Sequence, residues 1–179
     1  MSVIIQTKRL DLIPLSPAVL RAALEVDRNK IGRLLGASVP QSWEIRRGAF
    51  ELWLRQLEAN PALQPWLARG MVLRSEGQLI GDIGCHSAPY SAPASGPKTV
   101  ELGYCVVEAW RRRGFAQEAI EALIEWACTQ HRVQRFVLSI SPENHASQAL
   151  ATKLRFRKIG SQIDEEDGLE EIFERLVEG

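Results

Sequence analysis

The chain has 179 residues, of which 45% are hydrophobic and 25% are charged. This length and this balance are typical of an ordinary soluble globular protein with one sizeable core. The chain has 22 basic and 22 acidic residues, so the formal net charge is zero. A neutral chain exerts no long-range attraction on nucleic acid or on an anionic membrane, and we expect neither as a partner.

The cysteines and the N-terminal segment indicate where the protein works. The chain has three cysteines, an odd number, at Cys85, Cys105 and Cys128. They are widely spaced, and no two of them form a C-x-x-C pair. They therefore predict neither a disulfide framework nor a zinc site, and they favour a reducing cytoplasm. The N-terminal segment becomes polar at Gln6, too early for a signal peptide, and no stretch approaches the roughly 18 apolar residues of a membrane span. We expect a cytoplasmic protein that holds no metal.

In the first half of the chain, hydrophobic periodicity and cap residues predict one strand and two helices. Ser16 supplies an N-cap and Pro17 a first helical residue for the first helix. Tryptophan, phenylalanine and leucine recur at helical spacing in the second helix. The predicted elements are, in order, a strand over 9–16, a helix over 17–27, a break at 36–42, a helix over 42–60 and a loop over 60–70.

The second half predicts a hairpin and then alternating strands and helices. The helix that follows Gly114 has the strongest apolar stripe in the chain. The predicted elements are strands over 71–74 and 79–87, a loop over 89–99, a strand over 100–107, a helix over 115–131, a strand over 133–140, a helix over 144–154, and strands over 156–159 and 171–176. This order predicts a mixed sheet with helices on both faces.

The stretch Trp110–Ala119, WRRRGFAQEA, lies between a predicted strand and the longest predicted helix. The first N–H groups of a helix lack intrahelical partners and carry partial positive charge, so an anion such as a phosphate is a natural guest there. Gly114 permits close backbone approach, and guanidinium groups bind phosphate oxygens. A solvated, arginine-rich helix start is the competing interpretation, since short glycine patterns recur by chance. A nucleic-acid patch is disfavoured by the neutral net charge.

Two blocks of the sequence together resemble the GNAT superfamily of N-acetyltransferases. The family motif Gln/Arg-x-x-Gly-x-Gly/Ala, at a strand-to-helix turn, is met by Arg111, Gly114 and Ala116 within ELGYCVVEAWRRRGFAQEAIEALIEWA. The segment ISPENHASQALATKLRFRKIG resembles the next family block. Its matching positions are Asn144, Ser147, Leu154 and Phe156, with Arg155 where glycine is usual. The segment TKRLDLIPLSP is similar to the branch that contains the ribosomal-protein N-terminal (RimJ/RimL-like) acetyltransferases, and the resemblance covers most of the chain.

The resemblance implies a fold and a co-substrate. It implies an α/β (α+β) fold, with a single GNAT-like domain over 1–179 and a mixed, mostly antiparallel central sheet of about six to seven strands. Helices would cover both faces, and the strands at 100–107 and 133–140 would splay apart. Acetyl-CoA would place its pyrophosphate on the loop and its pantetheine arm along the strand before it. The implied cofactor-binding residues are Cys105, Val106, Val107, Arg111, Arg112, Arg113, Gly114, Phe115, Ala116, Asn144 and Ser147.

Three residues are candidates for catalysis. Many family members protonate the departing thiolate with a tyrosine, but Ala151 stands at that offset. Ser147, which fits the ribosomal-protein branch, is the candidate donor to the thiolate, or else only a helix-entry residue. Glu101 is the candidate base if it is partly desolvated, or else an exposed or ion-paired strand residue. His86 is the other candidate base, because histidine side chains commonly transfer protons near neutral pH, or else a structural histidine.

Other polar residues carry weaker hypotheses. Asp82 is a candidate for binding the amine, and the acidic run 165–167 either forms a solvated turn or attracts a cationic substrate. Cys105 has no supporting histidine or carboxylate pattern, so a small residue in the splayed strand is favoured over a nucleophile.

The sequence thus predicts an acetyl-CoA-dependent N-acetyltransferase that acts directly on a primary amine, either a protein N-terminus or a small molecule. The alternative is a non-catalytic acyl-CoA-binding or interaction protein that retains the cleft. The chain has five tryptophans. Three roles are open to them: packing in the core, lining an acceptor pocket, or forming an interface. The sequence therefore neither predicts nor excludes a homodimer.

Overall fold

The structure is a computed structural model that describes residues 3–91, 96–165 and 168–177. The described residues form eight strands, five α-helices and two short 3-10 helices, at Pro61–Leu63 and Glu108–Trp110. The strands are β1 Ile5–Gln6, β2 Leu10–Pro14, β3 Arg69–Leu73, β4 Gln78–Cys85, β5 Thr99–Val106, β6 Arg135–Ile140, β7 Arg157–Asp164 and β8 Gly168–Leu176. The helices are α1 Pro17–Leu24, α2 Arg28–Leu35, α3 Arg47–Ala59, α4 Phe115–His131 and α5 His145–Lys153.

The first predicted helix, over 17–27, ends early at Leu24, and a helix that was not predicted, α2, follows it. Ser16 caps α1 as predicted, because its hydroxyl accepts from the Val19 N–H. The helix ends before Asp27, however, and Val26 adopts a positive φ of 59°. Asp27 then caps α2, which the sequence analysis missed, by accepting from the Lys30 N–H at 2.9 Å. Asp27 is therefore not the end of one helix but the start of another.

The next helix begins five residues later than predicted, at Arg47 rather than Ser42. Trp43 leaves the helical path because its indole is buried and donates to the Asp82 carboxylate at 3.0 Å. Its ring also contacts Phe50, with the centroids 5.5 Å apart. A buried hydrogen bond and aromatic packing outweigh the helical spacing that the sequence pattern suggested.

The chain folds into two compact units, each made of separate segments. The first unit comprises residues 1–85 and 104–123. Its strands β1, β2, β3 and β4 pair antiparallel in that order. The end of β5 adjoins β4, since the Val107 N–H donates to the Ile80 carbonyl at 2.9 Å. Trp43, Trp53 and Trp66 are buried, so these three tryptophans belong to the interior rather than to a surface.

The second unit comprises residues 86–103 and 124–179. Its strands follow the order β5-β6-β8-β7. Strand β5 is parallel to β6 over three described residue pairs, the last of which is Glu101–Val137. The other pairings, β6 with β8 and β8 with β7, are antiparallel.

The pairings confirm a mixed, mostly antiparallel α/β fold, with one correction. The described residues contain eight strands rather than six or seven. The additional strand, β1, has only two residues, too few for an alternating pattern to show. The prediction of a single domain over 1–179 stays a prediction.

Some predictions concern segments that are only partly described. In the loop predicted over 89–99, Tyr90 and Thr99 exchange backbone hydrogen bonds of 3.0 and 2.7 Å, while residues 92–95 lie outside the described part. Glu166 and Asp167 of the acidic run also lie outside it. All three cysteines are free thiols. None of the described helices is long and apolar enough to cross a membrane.

We expect Gly81→Ala to lower the free energy of unfolding by about 1–3 kcal/mol. A Cβ atom at Gly81 would lie 2.2 Å from the Cys105 carbonyl oxygen, so β4 or the end of β5 would have to move. Chemical denaturation measures the change. Gly160→Ala is the matched control, because a Cβ there meets nothing within 4 Å. Equal losses in the two variants would contradict the close approach at Gly81.

Candidate functional site

The loop that precedes α4 has an unusual backbone. The 3-10 helix Glu108–Trp110 leads into it, and α4 begins at Phe115. Arg112 and Gly114 both adopt left-handed conformations, with φ of 60° and 81°. Left-handed residues among right-handed and extended ones turn successive N–H groups toward one concavity, which binds anions. The first N–H groups of α4 lack intrahelical acceptors and add to this concavity.

Arg9 braces this loop from a distant part of the sequence. Its Nη1 donates to the Arg113 carbonyl at 3.0 Å, and its Nε donates to the Glu118 carboxylate at 2.7 Å. Its guanidinium carbon lies 4.2 Å from the centroid of the Phe115 ring. Sequence reasoning missed Arg9 as a site residue, since no local pattern connects it to a loop more than one hundred residues later.

Glu118 is the acidic partner in this brace and lies in the first turn of α4. Its carboxylate accepts from the Thr7 hydroxyl at 2.6 Å and from the Arg9 backbone N–H at 2.7 Å. Burial by itself would raise the pKa of Glu118. The hydrogen bonds from Thr7 and Arg9, together with the Arg9 charge, outweigh burial and hold that pKa below its usual range.

The three consecutive arginines have different surroundings, although all are exposed. The Arg111 Nε donates to the Val106 carbonyl at 2.8 Å, which ties the loop back to β5. The Arg113 guanidinium lies over the Trp110 ring at 4.8 Å. Arg112 instead holds the left-handed turn. The side chains of Arg111 and Arg113 are therefore tied to protein groups.

The backbone at the end of β5 is only partly free. For the pantetheine arm to pair along this strand, as the resemblance implied, Cys105, Val106 and Val107 would have to offer unpaired backbone groups. The Val107 N–H is engaged by Ile80, however, and the Val106 carbonyl accepts from Arg111. The prediction of free groups is wrong for these two atoms, because β4 and the loop already use them.

A cavity of about 200 Å³ lies beside the end of β5 in the first unit. The residues that line it are Ser42, Trp43, Glu44, Cys105, Val106, Val107, Glu108 and Arg111. Burial, and next the nearby Asp82 charge, raise the pKa of the Cys105 thiol, so this thiol stays protonated at neutral pH. That environment fits the predicted role of a small strand residue rather than a nucleophile.

Asp82 contacts Trp43, one of the residues that line this cavity, and is 1% exposed. Its carboxylate accepts from Trp43 Nε1 and from Arg46 Nη2. Burial raises the pKa of Asp82, and the Arg46 charge and these two hydrogen bonds partly oppose that rise. Both carboxylate oxygens are thus engaged by protein groups instead of being presented to an amine.

In the second unit, the structure brings together two of the candidate catalytic residues. His86 Nδ1 lies 3.6 Å from the Glu101 Oε1. The Ser139 hydroxyl donates to that same oxygen at 2.6 Å. The backbone of Gly103 adjoins the other ring nitrogen of His86, since a Cβ at Gly103 would lie 2.9 Å from Nε2. Sequence reasoning missed Ser139, because it faces Glu101 only through the pairing of β5 with β6.

Around α5, the structure gives each matched residue a local role. The Asn144 side chain accepts from the Ser147 N–H at 3.1 Å and caps the helix. Ala151, at the offset where many family members have a tyrosine, is fully buried. Arg155 has a φ of 63°. This left-handed conformation gives a physical reason for the usual glycine at that position.

The sequence model of the family described as "Acetyltransferase (GNAT) domain" matches residues 9–157. Among curated proteins, the chain is similar to the "Uncharacterized N-acetyltransferase YoaA" of Bacillus subtilis, with 31% identity over 91 residues. That match covers 51% of this chain and 49% of the relative, so the chain spans about half the length of this relative.

Two solved structures show the same fold. One is an acetyltransferase from Salmonella typhimurium that modifies the N-terminal serine of the 50S ribosomal subunit protein L7/L12. It is 18% identical, with a TM-score of 0.66 and coverage of 98% of this chain and 100% of that one. The other is RimL, a ribosomal L7/L12 alpha-N-protein acetyltransferase in complex with coenzyme A. It is 18% identical, with a TM-score of 0.67 and coverage of 98% of each chain.

We expect Glu118→Gln to lower the free energy of unfolding at pH 7 by about 1 kcal/mol or more, because hydrogen bonds to a charged group are lost. The folded-state pKa of Glu118 is depressed, so its carboxylate stabilises the fold above the unfolded pKa. This stabilisation is lost as the pH falls through the folded pKa. The difference between wild type and variant in chemical denaturation should therefore shrink below about pH 4.

Glu121→Gln is the control for this pH series, since Glu121 is an exposed carboxylate in the same helix. Its effect should be small at every pH. A Glu118→Gln difference that stays constant from neutral to acidic pH would show that the ionised carboxylate does not stabilise the loop.

Proposed function

Because this chain belongs to the GNAT family of acetyltransferase domains, we propose that it transfers an acetyl group from acetyl-CoA to a primary amine. The observation that carries the proposal is the backbone of the loop before α4. Two left-handed residues, Arg112 and Gly114, and the start of a 17-residue helix form an anion-binding concavity there.

The residues of this loop suit the diphosphate of acetyl-CoA. Gly114 has no side chain to fill the concavity, and the nearest atom to a Cβ there would be Arg9 Nη2, at 3.4 Å. Exposed Arg112 adds a positive charge next to Gly114. The N–H groups at the start of α4 would donate hydrogen bonds to phosphate oxygens. When bound, acetyl-CoA supplies the acetyl group as a thioester.

The acceptor nitrogen must lose a proton before it attacks a carbonyl carbon. We assign this proton to His86, whose side chain is 54% exposed and so is open to an acceptor or to bridging water. Glu101 supports this role, because its carboxylate lies 3.6 Å from the imidazole and stabilises the protonated ring. Ser139 supports Glu101 in turn through its hydrogen bond of 2.6 Å.

Ser147 is the proposed donor to the departing sulfur. The Asn144 cap fixes the backbone of Ser147 at the start of α5, and its side chain is half-buried rather than freely solvated. With Ala151 buried, the tyrosine that serves many family members has no counterpart at that position. A hydroxyl hydrogen bond would stabilise the developing thiolate without full proton transfer.

We propose that the acceptor is a protein N-terminus or a small-molecule amine. The RimL and Salmonella structures, named for acetylation of a ribosomal protein, support the first of these by analogy of fold. The carboxylates of Glu44 and Glu108 at the cavity in the first unit would favour a cationic acceptor of either kind.

We expect Gly114→Trp to abolish binding of acetyl-CoA and CoA in isothermal titration calorimetry, because the indole fills the concavity. Gly77→Trp is the matched control. Gly77 also has a positive φ, 57°, and a Cβ there meets nothing within 4 Å. This control introduces the same backbone strain and should bind as the wild type does. Undiminished binding by Gly114→Trp, in a variant with native circular dichroism, would contradict the assigned anion site.

We expect Glu101→Gln and His86→Gln each to lower kcat/KM by about 10²–10⁴-fold, which is the usual contribution of general base catalysis.

Ser147→Ala should lower kcat while acetyl-CoA affinity changes little. Thiol release over a broad amine panel measures both effects. Full kcat in Ser147→Ala would remove Ser147 from the mechanism. Acetyl-CoA binding without thiol release on any amine would instead indicate a non-catalytic acyl-CoA-binding protein.

A further inference from the structure

Arg9, which lies just before β2, contacts the loop before α4 and the first turn of that helix. Its Nη1 donates to the Arg113 carbonyl at 3.0 Å, and its Nε donates to the Glu118 carboxylate at 2.7 Å. Its Nη2 lies 3.4 Å from the place that a Cβ would take at Gly114. One planar guanidinium group therefore meets both the end of the loop and the start of the helix.

The bond to the Arg113 carbonyl sets the direction of the next N–H group. A trans peptide is planar, and its C=O and N–H point in opposite directions. Because the Arg113 carbonyl is directed at Arg9, the Gly114 N–H points away from Arg9. The Gly114 carbonyl accepts from the Glu118 N–H at 3.0 Å, so Gly114 caps α4. Arg9 thus fixes the orientation of the N–H group at the entrance of this helix.

Glu118 places a negative charge in the first turn of the same helix. Burial would raise its pKa, but hydrogen bonds from Thr7 and Arg9 hold that pKa below its usual range, so Glu118 is ionised at neutral pH. The charge stabilises the helix start, yet it would repel an anion bound there. The Glu118 side chain is only 17% exposed, so salt and water screen its charge only in part. The Arg9 guanidinium, at 2.7 Å, offsets that charge.

The Arg9 side chain is held in place without a ligand. Glu118 Oε1 accepts from the Thr7 hydroxyl at 2.6 Å and from the Arg9 backbone N–H at 2.7 Å, while Oε2 accepts from Arg9 Nε. The Thr7 hydroxyl oxygen also accepts from the Leu10 N–H at 2.8 Å. The start of β2 and the first turn of α4 therefore fix Arg9 from both sides.

We propose that Arg9 is a positioning residue for the diphosphate of acetyl-CoA. It turns the Gly114 N–H toward the diphosphate, and it offsets the Glu118 charge that would otherwise repel this anion. The inference rests on the proposed function, because it concerns the co-substrate of the proposed reaction. It adds that the affinity for this co-substrate depends on a residue more than one hundred positions before the loop.

Arg9→Gln removes both effects, and Arg74→Gln is the matched control. The Arg74 side chain is 38% exposed, as that of Arg9 is, and its four described hydrogen bonds all lie within residues 7–11. We expect Arg9→Gln to raise the Kd of inorganic diphosphate and of acetyl-CoA by about tenfold or more, the scale on which a charged hydrogen bond acts. The KM for acetyl-CoA should rise with it while kcat changes little. Arg74→Gln should bind both compounds as wild type does.

The Gly114 amide signal tests the orientation of the peptide. In protein labelled with [15N]glycine, inorganic diphosphate should shift the Gly114 resonance of wild type and of Arg74→Gln, because this N–H donates to the anion. The limiting shift should be smaller in Arg9→Gln, since the N–H is no longer directed at the diphosphate.

Arg9→Lys separates orientation from charge. Lysine keeps the positive charge, but it lacks the planar fork that donates to the Arg113 carbonyl and to Glu118 together. Its Kd for acetyl-CoA should lie between the values of wild type and Arg9→Gln. A limiting Gly114 shift equal to that of wild type would contradict the assigned orientation.

The Arg9→Gln/Glu118→Gln double variant tests the charge. It removes the carboxylate charge that Arg9 no longer offsets, so it should bind acetyl-CoA several-fold more tightly than Arg9→Gln does. Its stability should change in the opposite direction, because Glu118→Gln removes hydrogen bonds within the fold. A gain in affinity with a loss in stability is a coupling that bracing alone does not produce.

Three results would overturn the proposal. One is an equal loss of affinity in Arg9→Gln and Arg74→Gln, because support of the turn before β2 would then explain both. Another is wild-type affinity in an Arg9→Gln variant with a native circular dichroism spectrum. The third is a double variant that binds no better than Arg9→Gln, which would remove the charge effect.

These results are distinguishable from a failure of the proposed function. Acetyl-CoA binding without thiol release on any amine would count against acetyl transfer, yet it would leave every comparison of Kd and of the Gly114 shift valid. A wild type that binds neither inorganic diphosphate nor acetyl-CoA would overturn both the proposed function and the role of Arg9.

Discussion

The contact between Arg9 and the loop before α4 is the constraint on which the proposed anion site depends. Left-handed backbone at Arg112 is costly for a residue with a side chain, and it persists only where the surroundings enforce it. Arg9 enforces it from two directions, through the Arg113 carbonyl and through Glu118 at the start of α4. The concavity is therefore formed in advance, so a ligand would not have to order it.

In the second unit, too, a carboxylate is held by side chains from other parts of the chain. Glu101 alone would be a partly buried strand carboxylate, but Ser139 and His86 converge on one of its oxygens. A carboxylate held by a hydroxyl keeps its orientation. The proposed proton acceptor is thus built from residue types that are otherwise common on strand surfaces.

The elements that sequence analysis missed or displaced have physical causes. Strand β1 has two residues, too few for a period to show. Helix α2 is as long as α1, but its cap, Asp27, lies in the segment that the sequence analysis assigned to the preceding helix. The late start of α3 has a different cause, because Trp43 is drawn from the helix by Asp82. Asp82 is thirty-nine residues away, so no local pattern contains that information.

The sequence by itself determined the strand–loop–helix of the proposed anion site, with Arg111, Gly114 and Ala116 in its loop and first turn, because caps, glycine conformation and helix periodicity are local properties. It also determined the mixed sheet. Only the tertiary structure decided which partners complete these sites: Arg9 for the loop and Ser139 for Glu101. These contacts join residues that are distant in the chain, and only strand pairing and packing bring them together.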